Sequence, residues 1–175
     1  MSEDATDATI ETTLQAKLMQ GVGICLFQYQ QIEAHLKLLL PHMHHPDSLQ
    51  HEDSRELHWQ GLLDSKKTLG PLMEDFKLRS SSVDPDSLGR FLKQIVEERN
   101  DLVHHLLNDP TRPLRTNADA QRTIEVLRQY SQSAATLLRA LCAATAQFVQ
   151  LLDNSPRRHR FLATLEFPLG FDHVS

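Results

Sequence analysis

The chain has no long apolar run and only two cysteines. No apolar segment approaches the roughly 20 residues of a transmembrane helix, and residues 1–13 are acidic and polar, unlike a secretory signal. Cys25 and Cys142 both stand among apolar residues. We therefore expect two buried thiols in a reducing compartment, with no disulfide framework, in a cytoplasmic protein without membrane contact.

The common catalytic signatures are also missing. The sequence contains no phosphate-binding loop and none of the patterns G-x-S-x-G, H-E-x-x-H or C-x-x-C. We therefore expect no cofactor. The formal net charge of −5 argues against a general nucleic-acid coat, which would be basic over much of its surface. A local basic pocket stays compatible with this charge.

One loop is rich in histidine. Imidazole and carboxylate at short spacing can bind zinc or nickel, and this loop carries His42, His44, His45, Asp47 and His51. The prolines within it oppose the helical spacing that would bring two histidines onto one face, and no cysteine contributes. We interpret the loop as a polar connection without a metal, and a metal site remains the alternative.

Helical periodicity dominates the sequence, and strand signals are almost absent. At 175 residues the chain suits one domain. We predict a flexible N-terminus (1–8), a helical bundle (9–153) and a C-terminal tail with a basic run (154–175). The helices are expected at about 9–40, 54–78, 84–108 and 118–152. Asp84 with Pro85 is expected to begin the third, Thr116 or Asn117 the fourth, and Gly70-Pro71 to interrupt the second. We expect an all-α, up-and-down four-helix bundle that forms a two-fold homodimer.

The third predicted helix places an arginine within its apolar stripe. The stripe contains Leu92, Ile95 and Leu102, and Arg99 falls in its middle. A guanidinium keeps its charge and is very costly to bury unpaired. Arg99 therefore needs a carboxylate, a subunit interface or a phosphate as its partner, and the sequence leaves these alternatives open.

A histidine follows this arginine at a spacing of five. On an ideal α-helix, residues five apart are rotated by about 140° and separated by about 7.5 Å, so Arg99 points into the apolar face and His104 away from it. Two copies related by a two-fold axis would bring both residue types to one cleft. His104 is suited to proton transfer, and Asn100, four positions earlier, is placed to orient its ring.

The pattern Arg99-x-x-x-x-His104 on the third of four helices resembles the R-x(4–6)-H signature of HEPN domains, with Asn100 at the polar position that follows the arginine. Residues 27–37 resemble the first-helix segment of such domains, and residues 67–72 resemble their Thr-Leu-Gly element. The resemblance covers about residues 15–150. It departs from HepT-type toxins, which carry a tyrosine where this chain has Leu106. Control by modification of that tyrosine is therefore not expected.

The resemblance implies a homodimeric bundle and, as in many members, a metal-independent RNA endonuclease, often a bacterial toxin or defence protein with an antitoxin partner. Arg99 would bind the scissile phosphate, His104 would act as general acid or base, and Asn100 would orient. We expect further contacts to RNA from His105, Arg112, Arg115, Arg157 and Arg158. For the arginine run of the tail, a solvated segment is the alternative. The alternative function is an inactive HEPN-like module that binds a protein partner or RNA.

Overall fold

The computed structural model describes residues 10–43, 67–80, 84–106 and 114–151. These ranges contain four α-helices and no strand: α1 (Thr12–Leu39), α2 (Leu69–Arg79), α3 (Pro85–Asn100) and α4 (Asn117–Leu151). A short 3-10 turn, Leu40–His42, follows α1, and a π-helical turn, Asp101–His105, follows α3. The predicted all-α class is confirmed for this part of the chain.

The sequence signals for helix starts agree with the structure. The Asp84 side chain accepts a hydrogen bond from the Ser87 N–H at 2.9 Å, with Pro85 in the first position. At α4, Thr116 Oγ1 accepts from the Asp119 N–H at 3.1 Å, and Asp119 Oδ2 accepts from the Thr116 N–H at 2.9 Å. This reciprocal pair satisfies two backbone donors at the start of α4.

The directions of the described helices follow the predicted up-and-down order only in part. Antiparallel packing joins α3 to α4, because Glu98 contacts Ser133 while Asp101, three residues later, contacts Tyr130. In contrast, α1 and α4 run parallel: hydrogen bonds join residues 11 and 117, 25 and 127, and 35 and 145. An up-and-down order of four helices would make the first and last antiparallel, so the predicted alternation does not extend to α1.

The core lies along the contact between α1 and α4. Its buried residues on α1 recur at spacings of three and four, as an amphipathic helix requires; they include Cys25, Tyr29, Ile32, Leu36 and Leu39. Gly21 allows close approach, because a Cβ at this position would lie 3.1 Å from Leu127 Cδ1. Gly23, two residues later, faces open space. Of the two glycines, Gly21 therefore has the packing role.

Several predictions lie outside the described residues. They concern the N-terminus (1–8), most of the histidine-rich loop and its possible metal, and the C-terminal tail. The predicted site residues among them are Arg112, Arg157 and Arg158. Within the described ranges, no helix is both long and apolar enough to cross a membrane.

Candidate functional site

The predicted Arg99–His104 motif coincides with a change of helix type. After Asn100 the backbone becomes π-helical, and the Leu106 N–H donates to the Asp101 carbonyl, five residues back, at 2.8 Å. Well under 1% of residues in globular proteins are π-helical, and such turns are frequent at functional sites because they re-aim side chains. The extra residue in this turn changes the directions expected from 3.6 residues per turn.

Within the apolar stripe of α3, the buried charged residue is Glu98 and not Arg99. Its side chain is 8% exposed, between the buried Ile95 and Leu102, whereas Arg99 is only half-buried. The prediction that Arg99 points into the apolar face is therefore wrong. Positions 98 and 99 lie three and four residues after Ile95, so both border the core. A carboxyl group, unlike a guanidinium, can be buried in its neutral form.

Arg99 has an exposed hydrogen bond in place of a buried ion pair. Its Nη1 donates to Asn100 Oδ1 at 3.1 Å. Glu97 pairs with Lys93 at 3.5 Å, and Glu98 accepts from Gln94. Among the described carboxylates, none forms an ion pair with Arg99. Within the described residues Arg99 therefore has no carboxylate partner, and its partly exposed side chain reaches solvent.

The π turn also changes the relation of Asn100 to the two histidines. Asn100 was expected to orient His104, but its side-chain oxygen accepts from Arg99. Asn100 and His105, five apart, line the same cleft, because one π-helical turn contains one residue more than an α-helical turn. The exposed rings of His104 and His105 lie edge to face, with their centroids 6.2 Å apart. Arg99 and His104 do not line this cleft, so one chain does not bring the predicted catalytic pair together there.

The cleft lies between α3, the π turn and α4, and has a volume of about 420 Å³. Its lining residues are polar: Gln94, Glu97, Glu98, Asn100, Asp101, His105 and Tyr130. Three of them are acidic side chains and one is an imidazole.

Glu98 is the most buried acid of the cleft. Its Oε1 accepts from Gln94 Nε2 at 2.7 Å and from Ser133 Oγ at 3.1 Å. Burial raises the pKa of Glu98, and these two hydrogen bonds partly oppose the rise. On α1, burial and then the negative charge of Glu98 raise the pKa of the Cys25 thiol to about 11 and the pKa of Tyr29 above its ordinary value. Both side chains therefore stay neutral.

The structure also shows a polar group that sequence reasoning missed. His35 Nδ1 lies 3.1 Å from Thr145 Oγ1, whose own proton goes to the Leu141 carbonyl at 2.8 Å. His35 Nδ1 therefore donates to Thr145, and Nε2, 3.4 Å from Cys142 Sγ, accepts from the thiol. Burial lowers the pKa of His35 and raises the pKa of Cys142, so the pair is neutral. Cys142 itself is exposed, contrary to prediction.

Arg115 is the described member of the predicted arginine set. It is exposed just before α4, and its backbone N–H donates to Asp119 Oδ2 at 3.2 Å. It does not line the cleft. In the described part of the chain, no three side chains of His, Cys, Asp or Glu form a group that could hold a metal ion.

Comparisons with protein-family models, with curated proteins and with solved structures found no match to this chain.

Proposed function

We propose that this protein is a metal-independent endoribonuclease of the HEPN type, whose site combines Arg99 and His104 from two copies of the chain. The observation that carries the proposal is the unpaired Arg99. The residue is half-buried, its guanidinium makes an exposed hydrogen bond to Asn100 at 3.1 Å, and it has no ion pair among the described carboxylates. A fixed cation of this kind suits a phosphate, to which its planar fork can donate two hydrogen bonds.

The proposed reaction needs only proton transfer and charge stabilisation. The ribose 2′-oxygen attacks phosphorus, the bond to the 5′-oxygen breaks, and a 2′,3′-cyclic phosphate forms. His104 acts as general acid or base: it either accepts the 2′-hydroxyl proton or donates one to the leaving 5′-oxygen. Arg99 stabilises the negative charge that develops on the phosphoryl oxygens. Asn100 holds the guanidinium in place.

The side chains around His104 support a contact between two chains. Val103, directly before it, is 44% exposed and apolar. In this proposal a second copy of the chain packs against Val103 and supplies the arginine that acts with this histidine. In this proposal His105, Arg112, Arg115, Arg157 and Arg158 attract the RNA backbone. An antitoxin protein would control the activity in the cell.

RNA cleavage in EDTA tests the proposal. We expect the purified protein to cleave a mixed RNA, and Arg99→Ala and His104→Ala to lose about 100-fold or more of the rate, as expected for a phosphate ligand or a proton-transfer group. Arg90→Ala is the matched control, because Arg90 is an exposed arginine of the same helix that contacts Ser87. Wild-type rates in both site variants would contradict the site assignment.

A second candidate function is a helical interaction module, and the surface of α1 favours it. Four large apolar side chains are exposed there: Met19 (68%), Ile24 (44%), Leu26 (38%) and Phe27 (46%). Ile24 and Phe27, three positions apart, are neighbours on the helix surface, and a contiguous apolar patch commonly marks a protein contact. This alternative predicts no cleavage by the wild-type protein. It also predicts that a folded Met19→Lys, Phe27→Lys double variant loses its partner or its self-association.

A further inference from the structure

A thiol, an imidazole and a hydroxyl are joined by hydrogen bonds where α1 packs against α4. Cys142 Sγ lies 3.4 Å from His35 Nε2, and His35 Nδ1 lies 3.1 Å from Thr145 Oγ1. The Thr145 hydroxyl donates to the Leu141 carbonyl at 2.8 Å, so its oxygen is the acceptor for Nδ1. Nε2 is therefore the nitrogen without a proton, and it accepts the proton of the thiol.

The three groups differ in their access to solvent. Cys142 is exposed, whereas His35 and Thr145 are each only 4% exposed. Thr145 fixes the buried ring of His35 on one side, and the residue that bears the sulfur is open to solvent on the other. A nucleophile, a base within hydrogen-bond reach and a third group that orients the base are the parts of an activated nucleophile.

The hydrogen-bonded pair is neutral before reaction, and this state suits a general base. Burial lowers the pKa of His35 and raises the pKa of the Cys142 thiol, so the imidazole can take a proton and the thiol still carries one. Without a base, such a thiol would react more slowly than an ordinary cysteine, because the thiolate is the nucleophile. With His35 in contact, the proton can leave during the attack itself.

We propose that Cys142 is a modification site that reacts with low-molecular-weight disulfides, with His35 as its general base and Thr145 as the residue that positions the ring. The Cys142 sulfur attacks one sulfur of the disulfide while its proton passes to His35 Nε2. The bond between the two sulfurs of the small molecule breaks, and the leaving thiolate takes the proton from His35. The products are a mixed disulfide on Cys142 and one free thiol, so the small disulfide is itself the oxidant.

The position of Cys142 on α4 favours a disulfide over an acyl donor as the reaction partner. Acyl transfer also requires hydrogen-bond donors for the developing oxyanion. Cys142 lies inside α4 (Asn117–Leu151), and the backbone N–H groups of a helix interior are engaged within the helix. Disulfide exchange places negative charge only on the leaving sulfur, which His35 protonates. The site goes beyond the proposed nuclease and does not depend on it.

The rate of disulfide exchange in the full-length protein, with oxidised glutathione as the probe, tests the proposal. Mass spectrometry of the digested protein measures the modification of Cys142 separately from that of Cys25. We expect Cys142 to react faster in the native protein than in the chain unfolded in urea, because unfolding separates the thiol from its base; N-acetylcysteine corrects for the effect of urea. A native rate equal to or below the unfolded rate would overturn the proposal, since a thiol with a raised pKa and no base gives that result.

Variants of the two partners identify their roles. His35→Gln keeps polar groups at this position but removes the base, and it should slow native exchange about tenfold or more. Thr145→Val removes the hydroxyl and should also slow exchange, whereas Thr145→Ser keeps the hydroxyl and should retain the wild-type rate. Circular dichroism verifies the fold of each variant. A wild-type rate in folded His35→Gln would overturn the proposal, and a wild-type rate in Thr145→Val would overturn the positioning role of Thr145.

The matched control moves the thiol by one exposed position on α4. Ala143→Cys in the Cys142→Ala chain places a thiol away from His35, and its exchange should be as slow as that of the unfolded chain. A measurement in D2O needs no variant: native wild-type exchange should be slower there, because the proton moves during the attack. Equal rates in H2O and D2O, or equal rates for the moved and the native thiol, would overturn the assignment of His35 as the base.

Discussion

Removal of Arg99 distinguishes a site role from a structural role through protein stability. In Arg99→Ala, the structure predicts the loss of one exposed hydrogen bond to Asn100 and part of a half-buried stem. We therefore expect the free energy of unfolding to fall by no more than about 1 kcal/mol, the usual contribution of such a hydrogen bond. A buried ion pair broken at one partner would instead cost about 3–5 kcal/mol.

Ile95→Ala is the reference variant against which the stability loss of Arg99→Ala is compared. Ile95 lies on the same helix, one turn earlier, with 0% exposure. Its truncation should cost about 2–5 kcal/mol, the range for buried large-to-alanine changes. Urea unfolding followed by circular dichroism at a helical wavelength measures both variants under identical conditions. A loss in Arg99→Ala as large as that in Ile95→Ala would refute the view that Arg99 has no structural ion pair.

Two further predictions concern α1 and the thiols. Gly23→Ala should raise the free energy of unfolding by up to about 1 kcal/mol, because alanine has the higher helix propensity. Gly21→Ala should leave the free energy of unfolding unchanged or lower it by about 1 kcal/mol, because its Cβ would lie 3.1 Å from Leu127 Cδ1. Equal urea midpoints for the two variants would contradict this packing. A maleimide should label the exposed Cys142 in the native protein and Cys25 only after unfolding, because Cys25 is 0% exposed. Fast labelling of two thiols, measured by mass spectrometry, would contradict the burial of Cys25.

Local sequence signals predicted the helices well because their causes are local. Asp84 with Pro85, and Thr116 with Asp119, satisfy the first backbone donors of α3 and α4 through residues three positions away. The apolar residues of α1, at spacings of three and four, likewise coincide with its buried face. The direction of α1 relative to α4 depends on contacts between residues more than 100 positions apart in sequence, such as Cys25 with Leu127. Local sequence patterns do not predict such contacts.

The site was predicted less completely, for a reason of geometry. The sequence identified the segment from Arg99 to His105, but its side-chain directions assumed a regular α-helix. The π turn after Asn100 brings His105, not His104, to the cleft that Asn100 lines. The burial of Glu98 was missed because an acidic side chain is seldom buried. Its hydrogen bond from Ser133 on α4, visible only in the folded chain, makes that burial possible.

We propose that Arg99 and His104 from different chains form one catalytic site, and a mixing experiment tests this arrangement. Arg99→Ala and His104→Ala proteins are refolded separately and together, and RNA cleavage is measured in EDTA. A shared site predicts that each variant alone is inactive and that the mixture regains part of the wild-type activity, because one chain supplies the arginine and the other the histidine. An inactive mixture in which mixed dimers are present would contradict the shared site, as would a wild-type protein that does not cleave RNA.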